Sequence, residues 1–217
     1  MTHKEIITAT RDHVKEKFTR EGSGHDWWHI QRVWHTALHI AREEQADLFI
    51  VSLGALLHDI ADHKFHEGDE TLGPKEARIW LEQFEMDTSV VAHVCEIVSN
   101  VSFKGAGTVT HMATLEGKIV QDADRLDALG AIGIARVFAY AGYKGNAIYD
   151  PAIPPENHQT FAQYKAGSGP AINHFYEKLL LLKDRMNTAT GKHMAEKRHQ
   201  YMEAYLEQFY QEWNGKV

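Results

Sequence analysis

Residues 47–65 read DLFIVSLGALLHDIADHKF. From Leu48 to Leu57 only Ser52 and Gly54 interrupt an apolar run, and then four ionisable residues arrive together: His58-Asp59 and Asp62-His63. Asp47 is a favoured helix N-cap, so the segment reads as a helix from Leu48 to about Ile60. A helix apolar on nearly every side is central and buried. Ionisable groups at its end must be hydrogen-bonded, paired or bound to metal, because a polar group left dry and alone costs roughly 2–7 kcal/mol. The stretch therefore sets two expectations: a core assembled around this helix, and at its end either a metal site or a histidine held by a carboxylate.

Helical spacing recurs along the rest of the chain. Ile6, Ile7, Val14 and Phe18 mark a first helix, ending around Gly22 and Gly24, and Asp26 caps a second with Ile30, Val33, Ala37 and Ile40 on one face. Gly73-Pro74 opens a fourth, with proline in a favoured first-turn position. Thr88 or Ser89 opens a fifth, with Val90, Val94, Ile97 and Val101 on one face. MATLEGKIVQDADRLDALG and AIGIARVFAYAG read as a sixth and a seventh. Two long helices close the chain, about Pro170 to Met186 and about His193 to Trp213, divided near NTATGK. Residues 143–169 form the one long irregular insert, of a length that often covers a pocket or carries function. No alternating strand pattern appears. The expected fold is all-α, one domain over residues 1–217, with a core about 24–130 and the helices of 170–214 packed on it.

Composition narrows the class. The chain has 217 residues, 43% hydrophobic and 24% charged, which is the profile of a soluble globular protein long enough to bury a sizeable core. A net charge of −7 argues against a dedicated nucleic-acid binder, which carries a basic face. It leaves anionic small molecules open, since a metal or a few lysines reverse the sign locally. The apolar run before His58 is too short for a bilayer, which needs about 20 residues, so no membrane association is expected. Cys95 is the single cysteine; it cannot form an internal disulfide, which suits a cytoplasmic setting.

Donors for a metal lie on other amphipathic helices. The second carries His25, His29, His35 and His39; the sixth carries Asp122, Asp124 and Asp127. Both should pack against the apolar third helix. A histidine from one, the His58-Asp59 pair and an aspartate from the other make a set of two nitrogens and two oxygens. Such a set suits manganese, iron, nickel, cobalt or zinc. With 15 histidines in the chain, chance clusters are expected; His35 and His39 read as surface-facing. Spacing alone does not choose between Asp122 and Asp124, which point about 200° apart around a helix.

The order His29 … His58-Asp59 … Asp124 resembles the HD-domain metal-dependent phosphohydrolase superfamily. GHDWWHIQRVWHTA, LLHDIADHKF, IVSNVSFKG, IVQDADRLDALGAIGIARVF and INHFYEKLLLLKDRMNTATGK are similar to its bacterial single-domain branch, from about Gly24 to about Arg198. The resemblance implies an all-helical HD-domain fold and a single divalent metal ion, manganese first, with magnesium, iron, cobalt, nickel and zinc as alternatives. It makes His29, His58, Asp59 and Asp124 the ligands, and Asp127, one turn after Asp124, a candidate to hold a ligand histidine's other nitrogen. Asp62 matches the acid that handles the attacking water. His63 stands where relatives carry a second acid, a departure. Lys64, Lys104 and His93 are candidate substrate contacts, the lysines as compact charges against phosphate; each is equally a solvated or half-buried residue with no such role.

The implied activity is hydrolysis of a phosphorylated small molecule by a metal-activated water. Members of this branch include manganese-dependent pyrophosphohydrolases that cleave nucleoside triphosphates between the alpha and beta phosphates, which makes a nucleotide the expected partner. A nucleotide phosphomonoesterase with the same ligands, and a non-catalytic metal- or nucleotide-binding module, are the alternatives. Nothing in the sequence sets the oligomeric state.

Overall fold

The computed structural model describes residues 1–19, 26–61, 71–101, 111–156 and 169–217. Every secondary-structure element among them is helical, the all-α fold that the sequence led us to expect. The described residues up to 124 make one compact unit and those from 125 onward a second.

The first unit holds α1 (His3–Phe18), α2 (Trp27–Glu43), α3 (Leu48–Leu57), α4 (Leu72–Leu81), α5 (Thr88–Asn100) and most of α6 (Leu115–Asp127). Helix α3 is its centre and packs against α1, α2 and α5. Asp47 starts it as expected, accepting from the backbone N–H groups of Phe49 (2.8 Å) and Ile50 (3.2 Å). Leu53, Leu56 and Leu57 are buried among Ile6 and Val14 of α1, Ile30 of α2 and Val94 of α5. Each such side chain stabilises the fold by about 1.5–3 kcal/mol.

Helix α3 ends at Leu57, short of the expected Ile60, with His58 as its C-cap. Two bonds make the stop. The Ile60 N–H donates to the Leu57 carbonyl (3.0 Å), tightening the turn, and His58 Nδ1 meets the Ala55 carbonyl at 2.8 Å. Both use carbonyls that a helix end leaves without a partner. Asp26 caps α2, accepting from the His29 N–H at 2.9 Å, so the cap also seats His29 in the first turn. Helix α5 opens at Thr88, as expected, with Asp87 before it as the cap, accepting from the Ser89 N–H at 2.8 Å. Helix α4 begins at Leu72, and Pro74 falls within its first turn.

The second unit contains the last turn of α6, α7 (Gly130–Lys144), α8 (Ala171–Glu177), two 3-10 turns (Leu179–Leu181 and Lys183–Arg185) and α9 (Ala189–Trp213). The turn from α6 to α7 is glycine-dependent. Gly130 has φ +71°, and a Cβ on Gly133 would stand 2.2 Å from the Ala128 carbonyl oxygen, a contact only glycine permits. The long helix expected from Pro170 to Met186 is broken at Lys178 (φ −141°, ψ −58°). Beyond it the spacing of three between Leu179 and Leu182, both buried, suits the 3.0-residue repeat of a 3-10 turn. Helix α9 starts earlier than expected because Thr188 caps it, accepting from the Gly191 N–H at 3.0 Å. The described part of the insert is tied down: the Ala171 and Ile172 N–H groups donate to the Ala147 and Ile148 carbonyls (2.9 and 3.0 Å). Tyr149 packs edge-on against Phe209, Tyr210 and Trp213.

Candidate metal centre

Helices of the first unit bring His29, His58 and Asp59 to one point, with Asp124 beside the two histidines. His29 comes from the first turn of α2, His58 and Asp59 from the end of α3, and Asp124 from α6. One donor atom from each of His29, His58 and Asp59 lies within 4.8 Å of the others. His29 Nε2 stands 3.2 Å from His58 Nε2. Asp59 Oδ2 is 3.4 Å from both nitrogens. Asp124 Oδ1 is 3.5 Å from His29 Nε2 and 3.9 Å from His58 Nε2.

The spacings of 3.2–3.5 Å match what an ion needs. Two donors each about 2.1 Å from one ion lie about 3.0 Å apart at an octahedral angle and about 3.4 Å apart at a tetrahedral one. The tautomer is also suitable. A carbonyl can only accept, so the Ala55 contact puts a proton on His58 Nδ1, and in the neutral ring Nε2 then offers its lone pair toward the other donors. The end of α3 adds the negative pole of a helix dipole, which favours a cation there.

The same geometry governs His58 in the metal-free protein. Burial alone pushes its imidazolium down; the Asp59 charge and hydrogen bond, then Asp124 and the Ala55 carbonyl, more than offset this and hold its pKa up at about 9. Protonated His58 thus balances a carboxylate that burial would otherwise penalise. The side chains of His29 and His58 are sealed off, at 0% and 1% exposed, whereas that of Asp124 is 26% exposed. The donor cluster is reached from solvent on the Asp124 side.

The sequence pattern of the HD domain matches residues 27–129. Uncharacterized protein YpgQ of Bacillus subtilis is 40% identical over 199 residues, 91% of this chain and 89% of its own length. The chain belongs to the HD-domain family. Solved relatives carry the HD likeness across the whole chain. An HD-superfamily hydrolase from Bacillus thuringiensis is 46% identical with a TM-score of 0.77, covering 98% of this chain and 99% of its own. A Lactobacillus plantarum protein is 38% identical with a TM-score of 0.86, covering 99% of each. The crystal structure of Bacillus subtilis YpgQ in complex with ADP has a TM-score of 0.74, at 38% identity over 95% of this chain and 97% of that one.

Around the HD motif, the other candidate residues divide. Asp62, Lys64 and Lys104 lie outside the described residues, as does His25. His93 is not brought to the donors. Its Nε2 meets Thr114 Oγ1 at 2.8 Å, and Thr114 accepts from the Gly117 N–H at the start of α6. That end of α6 is ten residues before Asp124, about 15 Å along the helix. Asp127 accepts from Arg136 Nη1 at 2.7 Å, and for His58 the second ring nitrogen is held by the Ala55 carbonyl. Asp122 is fully buried. His35 and His39 are exposed, as expected. Among the described residues no helix is long and apolar enough to cross a membrane.

Proposed function

We propose that this protein is a metal-dependent phosphohydrolase that splits (deoxy)nucleoside triphosphates into the monophosphate and pyrophosphate. The observation that carries the reading is the buried cluster of His29, His58 and Asp59, with Asp124 Oδ1 3.5 and 3.9 Å from the two histidine nitrogens. The ADP held by a relative of 38% identity supports a nucleotide as substrate. His29 and His58 would hold one divalent ion, manganese first, through Nε2, and Asp59 and Asp124 through carboxylate oxygens. Such an ion, when bound, lowers the pKa of its water and polarises a phosphoryl oxygen.

The chain's own residues do the rest. Buried His29, His58 and Asp59 supply a fixed, dry wall, and the open side at Asp124 admits substrate and water. Asp62, three residues after Asp59, takes the proton of the attacking water. The water oxygen bonds to the alpha phosphorus, the alpha–beta bridging bond breaks, and pyrophosphate leaves with the electron pair. Lys64 and Lys104 are assigned to phosphate oxygens.

The test is a panel of ribo- and deoxynucleoside mono-, di- and triphosphates with manganese, magnesium, cobalt and nickel, products separated by mass. Monophosphate and pyrophosphate in equal amounts are expected. Inorganic phosphate from monophosphates would make the protein a phosphomonoesterase. No turnover by a metal-loaded sample, with Asp62→Asn binding nucleotide as the parent does, would leave a binding module.

A further inference from the structure

Gly54 stands on α3 one helical turn before His58, and Val120 stands on α6 one turn before Asp124. Residues four apart share a helix face, so 54 and 58 share one face of α3, and 120 and 124 one face of α6. A Cβ on Gly54 would meet Val120 Cγ2 at 3.4 Å and Ile97 of α5 at 3.2 Å (Cγ2) and 3.3 Å (Cδ1). Ile97 also borders α6: a Cβ on Gly117 would meet its Cγ1 at an ordinary 3.4 Å, behind the closer Met112 Sδ (3.0 Å) and Thr114 Oγ1 (3.1 Å). Ile97 and Val120 are 1% and 0% exposed, and a close-packed interior leaves them little room to yield. Ile97 thus lies in a notch at Gly54 of α3 and in contact with Gly117 of α6.

We propose that Ile97, seated against Gly54 and Gly117, is a spacer that sets the separation of α3 and α6 and thereby the size and affinity of the ion gripped by His58 and Asp124. The inference rests on the metal centre proposed above and concerns what tunes it. His58 and Asp124 are the widest of the donor pairs measured, at 3.9 Å. Coordination tolerates only about 0.2 Å in each metal–ligand distance. A methyl on Gly54 forces Ile97 to give by a few tenths of an ångström, over a single stiff turn from the donors. Gly54 is a positioning residue, acting through Ile97.

The experiment compares the parent, Gly54→Ala, Gly54→Val and the double variant Gly54→Ala/Ile97→Ala, which deletes the atoms the new methyl meets most closely. Magnesium and manganese affinities are measured by calorimetry, the coordination geometry by the visible spectrum of the cobalt form, and the metal-free fold by thermal unfolding. Alanine itself favours helix over glycine, so the metal-free Gly54→Ala protein should remain folded. Expected are about tenfold weaker magnesium binding in Gly54→Ala, the scale of loss when ligand support is disturbed, with a smaller loss for the larger manganese ion. A shifted cobalt spectrum, a greater loss in Gly54→Val and recovery in the double variant should accompany it. Unchanged affinities and an unchanged cobalt spectrum in folded Gly54→Ala and Gly54→Val would overturn the spacer while leaving the metal centre intact. A parent protein that binds neither ion would overturn the metal centre itself and the spacer with it.

Discussion

Protons and metal should compete for His58, and the competition has a sign and a size. With its pKa held at about 9, His58 is charged in the metal-free protein at neutral pH, yet a ligand imidazole must be neutral. At pH 7 the neutral form is about one part in a hundred, so apparent affinity should rise about tenfold per pH unit and level off near pH 9. Stability of the metal-free protein runs the other way. A folded pKa raised above 6.5 gives stabilisation that is complete below pH 6.5 and fades as pH climbs through about 9, on the order of 3 kcal/mol in all. The perturbation is therefore pH alone, and the assay is calorimetric manganese titration at pH 6.5, 7.5 and 8.5 in buffers of different ionisation enthalpy. One proton should leave per ion bound at the lower pH values. Affinity flat across this range, with no proton released, would mean that His58 is neutral in the free protein or does not bind the ion. Replacing Asp59 with asparagine should flatten the dependence, since its charge is the largest influence raising His58.

Other substitutions test the frame. Gly133→Ala puts a Cβ 2.2 Å from the Ala128 carbonyl oxygen, a backbone clash that no rotamer relieves, and should cost about 3 kcal/mol or more in denaturant unfolding. Gln45→Gly should stabilise by about 1 kcal/mol, because Gln45 closes α2 at φ +59°, where an L-residue is strained. Asp127→Ala strips a buried partner from Arg136 and should cost about 3 kcal/mol, with manganese affinity within twofold of the parent; a large loss of affinity would give Asp127 a part in supporting the metal site.

Much of the frame was legible because side-chain pattern controls it. The apolar run ending at His58 made α3 the core, and Asp26 and Asp47 cap the helices at the places their chemistry suggests. His29, His58 and Asp59 stood out because buried ionisable groups demand partners. Asp124 needed the family resemblance, since Asp122 stands two residues before it on the same helix. What escaped the reading is set by backbone and tertiary contact. The Ala55 carbonyl that orients His58 has no side-chain signature, though a histidine three residues after a helical carbonyl near a C-terminus is the available hint. His93 could be placed only by knowing that Thr114 faces it. Lys178 interrupts a pattern in which Leu179–Leu182 fit a 3.0-residue period as well as a 3.6-residue one.

The most direct measurement follows the water. Manganese-loaded protein is given a deoxynucleoside triphosphate in water enriched in oxygen-18, with a chelator-treated sample alongside, and the products are weighed. One label in the monophosphate, none in the pyrophosphate and no turnover in the chelated sample are expected if the site formed by His29, His58, Asp59 and Asp124 directs water to the alpha phosphorus. Label in pyrophosphate or in free phosphate, or full activity without metal, would place the chemistry elsewhere.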